Sequence, residues 1–110
     1  MGRSMIEEGE IEAALVLLER SNDVRVRDRI AMALCEMQVE EIIPILTKVL
    51  PQQRVLGKRS TLIYALGKLE RKEAFTPELI SVLRHIDETD EGGAGAEAEI
   101  ILKRILEDEE

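Results

Sequence analysis

Apolar residues recur every three or four positions through almost the whole chain, the spacing of a helix that buries one face. The pattern predicts six helices, at about 5–20, 23–37, 39–50, 54–69, 76–86 and 94–107. The breaks between them carry turn chemistry. Ser21-Asn22-Asp23 offers side chains that cap a helix start, and Pro51 stops a helix. Thr76-Pro77 is a cap followed by proline at the first helical position, and Gly92-Gly93 closes an acidic loop at 87–93. Connections this short make consecutive helices antiparallel neighbours. The expected fold is all-α, a single domain over residues 1–110 built from three helix pairs at about 5–37, 39–69 and 76–107.

The helix pairs repeat. Ile30-Ala31-Met32-Ala33-Leu34 aligns with Leu62-Ile63-Tyr64-Ala65-Leu66 at an offset of 32, which also pairs Arg27 with Arg59 and Met37 with Leu69. The first helices follow: Ala14, Leu17 and Leu18 match Leu46, Val49 and Leu50, and these match Leu79, Val82 and Leu83 at an offset of 33. The last helix joins at an offset of 36, pairing Leu66 with Leu102 and Leu69 with Ile105. A two-helix unit recurring every thirty-odd residues is the mark of a helical solenoid, because one hairpin cannot bury its apolar face alone and units must stack.

The second helix of the first unit, Val26-Arg27-x-x-Ile30-Ala31-x-Ala33-Leu34, resembles that of HEAT-like repeats of the phycobilin-lyase type, in which the pattern runs V-R-x-x-A-A-x-A-L-G. The second copy, Arg59-x-x-Leu62-Ile63-x-Ala65-Leu66-Gly67, keeps the arginine and the glycine. The third departs, with Gly95 in place of the arginine and an acidic insertion, Asp87 to Glu91, ahead of it. Tetratricopeptide repeats fit less well, since their first-helix pattern is missing, and armadillo units need a third helix. The resemblance covers about residues 10–107 and implies a right-handed α-α superhelix of three pairs. It also implies a structural ladder of aspartate and arginine between successive repeats, carried here by Asp23, Arg27 and Arg59.

Composition narrows the chemistry. Aromatic residues make up 2% of the chain, so the core is aliphatic. The net charge of −8 opposes nucleic-acid binding. That charge is unevenly spread, with −3 over residues 1–20, −1 over 21–50, +4 over 51–86 and −8 over 87–110. The single cysteine, Cys35, excludes an intrachain disulfide and fits a reducing compartment. No signal-peptide pattern and no apolar run long enough for a membrane span occurs, and Ile6 stands where myristoylation needs Ser or Thr. These features predict a cytoplasmic protein.

Catalytic machinery is not legible. Cys35 on an Ala/Leu-rich helix reads as packing, and His85 reads as a helix-end residue that complements the dipole. One cysteine and one histidine make no zinc set. Asp87 to Gly92 departs from a calcium loop, with Thr89 at the third position and Ala98 at the twelfth. Gly57-Lys58 lacks the glycine-rich cradle of a phosphate loop. No cofactor, metal or catalytic residue is therefore expected, and the chain reads as non-enzymatic.

Solenoids bind partners on the surface lined by their second helices. With Val26, Ile30, Ala33, Leu34 and Met37 expected in the core, Met32, Tyr64 and Ile100 form one outward row. Arg29, Thr61 and Glu97 flank it on one side, and Glu36, Lys68 and Arg104 on the other. An apolar stripe edged by mixed charge is the expected contact surface for a protein partner. A basic segment, Arg54, Lys58, Lys68, Arg71 and Lys72, is a second candidate, for an acidic partner. Two other roles compete with a binding module: a structural solenoid that self-associates through its terminal helices, and an accessory subunit for a small-molecule or chromophore-handling enzyme.

Overall fold

A computed structural model describes residues 5–52, 59–90 and 93–107. All regular structure among them is helical. In chain order the helices are α1 (Met5–Arg20), α2 (Val24–Glu36), α3 (Ile42–Val49), α4 (Ser60–Leu66), α5 (Pro77–Thr89) and α6 (Gly93–Glu107), with 3₁₀ turns at Leu50–Gln52 and Lys72–Ala74. The helix starts follow the capping residues. The Asp23 carboxylate accepts the Arg25 backbone N–H at 2.9 Å, and the Thr76 hydroxyl accepts that of Leu79 at 3.2 Å with Pro77 next in line.

Three boundaries differ from the periodicity. Helix α3 begins at Ile42 rather than near 39, because Gln38 turns the chain with φ +60°. Helix α4 ends at Leu66 rather than 69: Gly67 caps it, and Lys68 and Leu69 bond back as a tight turn. Helix α5 runs on through Thr89, so Asp87 to Thr89 are helical rather than part of a loop. The Thr89 hydroxyl donates to the His85 carbonyl at 2.7 Å, and the Asp90 N–H to that of Ile86 at 2.8 Å. His85 therefore stands a turn earlier in its helix than expected, away from the dipole end. The first part of the expected fourth helix, with Arg54 and Lys58, lies outside the described residues.

Helices α1 and α2 pack together, as do α5 and α6. Across the pairs, α1 contacts α3 and α3 contacts α5, while α2 contacts α4 and α4 contacts α6. The result is two layers, and the smallest dimension of 18 Å fits two helix diameters at the usual 8–10 Å interaxial spacing. Aliphatic side chains fill the space between, among them Leu18, Leu34, Leu46, Leu66, Leu83 and Leu102, with Phe75 the one aromatic.

Helix α2 buries a narrower face than expected. Leu34 is buried as expected, but its companions are Ala31 and Cys35. Val26 and Ile30 are half-buried, and Ala33 and Met37 are exposed. The repeat-equivalent Leu62, Ala65 and Leu69 are all buried. The difference is one of neighbours: α4 has α2 on one side and α6 on the other, whereas α2 has α4 on one side only.

Candidate functional site

The outward faces of α4 and α6 meet along a groove of about 290 Å³. Tyr64 and Ile100 stand on its walls, 49% and 61% exposed, over Gly67 and Ile101. Lys68, Glu97 and Arg104 complete the lining. The Lys68 ammonium sits 5.1 Å from the Tyr64 ring centroid, a cation–π contact that holds the ring at the surface.

Of the residues expected on the partner surface, Tyr64, Lys68, Ile100 and Arg104 share this groove. Met32 is half-buried and packs against the core, so the apolar row is two residues long rather than three. Glu36 is exposed and Thr61 half-buried on their helices, and neither lines the groove. Arg29 belongs elsewhere, with Glu10 and Met37 in a separate groove of about 270 Å³ between α1 and α2.

Arg104 is not free to meet a partner. Its guanidinium donates to the carbonyl of Gly67 at 2.6 Å and of Leu69 at 2.9 Å, and lies 6.0 Å from the Phe75 ring centroid. These carbonyls sit where α4 ends and need donors from outside the helix. Gln38 does the same work one unit earlier. Its side-chain amide donates to Lys68 O at 2.8 Å and to Cys35 O at 3.1 Å, and its oxygen accepts the Glu70 N–H at 2.8 Å. Beside it, Arg71 grips Glu40 with two bonds of 2.9 and 3.2 Å, holding that carboxyl below its ordinary pKa through the hydrogen bond first and its charge second.

Of the residues expected in an Asp–Arg ladder, Arg59 forms an ion pair, and its partner is Asp90, outside the expected set. Arg59 donates through Nε and Nη2 to Asp90 Oδ2 at 3.2 and 3.1 Å, bridging the second and third units with side-chain exposures of 15% and 4%. Asp23 is not a rung: its carboxylate is spent on capping its own helix. Arg27 is half-buried, its Nε shielded and without a hydrogen-bond partner.

A third cleft, about 670 Å³, is lined by Pro51, Arg59, Ser81, Val82, His85 and Ile86. The side chains of Cys35 and His85 do not share it, since Cys35 is fully buried on α2. Burial pushes the pKa of that thiol up to about 12. At neutral pH almost none of it is thiolate. A soluble thiol reagent is accordingly expected to label the native chain only as fast as it opens, and the unfolded chain within minutes. Rapid stoichiometric labelling of folded protein would contradict this. Among the described residues, no group of three His, Cys, Asp or Glu side chains is placed to hold a metal ion. No helix among them is long and apolar enough to cross a membrane.

Residues 26–50, spanning α2 and α3, match the family model of the PBS lyase HEAT-like repeat. That stretch, about a quarter of the chain, is similar to a HEAT-like repeat. The match joins the second helix of one pair to the first helix of the next, the junction whose register Gln38 and its turn set. Nothing among curated proteins or solved structures matches the chain. HEAT-like repeats generally mediate protein–protein interaction.

Proposed function

We propose that this chain is a HEAT-like, non-enzymatic cytoplasmic adaptor whose three helix pairs stack in a right-handed superhelix and hold a protein partner against the outer faces of α4 and α6. The observation that carries the reading is the groove wall of Tyr64 and Ile100, both large and exposed. Large side chains around a shallow groove with charge at its rim are what a binding anchor needs. Lys68 and Glu97 supply opposite charges there, which orient a partner more than they hold it.

The test is quantitative binding of a partner captured with the native chain. Tyr64→Ala and Ile100→Ala are each expected to weaken it roughly tenfold, equal to about 1.4 kcal/mol. Thermal unfolding should barely change, because both side chains are already in water. Glu78→Ala, on exposed α5 surface, is the control. Unaltered affinity in both groove variants would sink the assignment.

A further inference from the structure

The two ends of the helix stack are finished differently. Ala31 and Cys35 on α2 correspond to Ile63 and Gly67 on α4 and to Glu99 and Lys103 on α6. The first two positions are buried in α2, where α4 covers them. On α6 the same row is a surface ion pair, Glu99 to Lys103 at 3.1 Å. The α6 end thus carries a polar outer face, as a terminal repeat does.

The α1–α2 end does not. Met37 is 50% exposed and Leu17 48%, while their equivalents Leu69 and Val49 are buried. Ala33 is exposed too, whereas Ala65 and Ile101 at its position are buried. This flank has the composition of a repeat–repeat interface, and among the described residues no helix covers it as α2 covers α4 and α4 covers α6.

We infer that this face docks on the same face of a second copy, α1 and α2 of each chain forming a four-helix contact about a two-fold axis. Head-to-tail stacking is disfavoured, because it sets the Glu99–Lys103 surface against aliphatic side chains. Self-pairing has a matching charge arrangement. Glu10 on α1 and Arg29 on α2 line the same groove. Neither has an ion pair or side-chain hydrogen bond among the described residues. A two-fold axis through that groove lays α1 over the second copy's α2 and brings Glu10 opposite its Arg29. The isologous geometry makes the contact twice. Two short helices per side cover less than the roughly 1,200–2,000 Å² of a tight complex, so the dimer constant is on the order of 10–100 µM.

Light scattering or sedimentation equilibrium on the full chain, from about 5 µM to about 1 mM to bracket that constant, tests the inference. A concentration-dependent dimer is expected. Met37→Glu and Leu17→Glu should leave helicity and melting unchanged and raise the dissociation constant by roughly a hundredfold. Glu10→Arg and Arg29→Glu should each weaken association roughly tenfold, and the double exchange should restore it. A monomer throughout the range overturns the inference, as does a dimer indifferent to Met37→Glu, which uses another face. Failure of the double exchange to restore pairing overturns the two-fold geometry.

Discussion

Gly95→Arg, which gives the third unit the arginine that the first two carry, is expected to destabilise the fold by about 4 kcal/mol or more. Repeat consensus alone points the other way. Gly95 lies inside the first turns of α6, where any residue other than proline has a better helix propensity by up to about 1 kcal/mol. Packing decides against it. A Cβ at this position collides with the carbonyl of Asp90. That oxygen is backbone, not the tip of a side chain that can swing away. Moving Asp90 also moves the carboxylate that holds Arg59. Even Gly95→Ala is expected to lose about 2–3 kcal/mol net, a fall of roughly 10–20 °C in Tm for a domain of this size. Urea unfolding followed by circular dichroism measures it. An alanine variant as stable as the parent would show that Asp90 does not approach α6 this closely.

The same residue shows how much of the arrangement is legible in the sequence. The loss of the arginine and the charged insertion ahead of Gly95 are plain in the repeat alignment. Their connection is not. The chain leaving α5 at Asp90 passes so close to α6 that only glycine fits, and that proximity is what delivers the Asp90 carboxylate to Arg59. Helix starts at Asp23 and Thr76 are legible because a cap acts on backbone two or three residues away. The buried face of α2 is not. Alignment establishes which positions are equivalent, and burial depends on whether the neighbouring unit is there, so Met37 and Leu69 share a position and differ in exposure. Spacing alone turns Tyr64 and Ile100 outward, and outward they are, while Met32 leans into the core. Gln38 leaves no signal at all. Glutamine is an unremarked residue at a helix end, and its role requires φ +60° together with a carbonyl thirty positions away. Arg104 escapes the repeat pattern for the related reason that the carbonyls it satisfies lie beyond its own helix, at the end of α4.

Arg59→Ala is expected to cost about 2–3 kcal/mol of stability without changing the surface offered to a partner. The guanidinium and the carboxylate are both largely out of solvent. Breaking a fully buried pair from one side costs about 3–5 kcal/mol. The smaller figure here allows for the residual exposure of Arg59 and for a further interaction that Asp90 keeps. Asp23→Ala provides the contrast within the same expected ladder. Its carboxylate serves one exposed backbone N–H, so it should lose about 1 kcal/mol, the usual worth of a helix cap. A double-mutant cycle with Asp90→Ala separates the pair from the packing of the arginine stem: a coupling of about 1–2 kcal/mol is expected between Arg59 and Asp90, and none between Arg59 and Asp23. Salt distinguishes them further. The Arg59–Asp90 coupling should persist at about 1 M salt, where the Debye length has shrunk to roughly 3 Å, because shielded charges are screened little. Zero coupling at low salt would mean that Arg59 acts through its methylenes, leaving the Arg104 hydrogen bonds and aliphatic contact to hold the second and third units together.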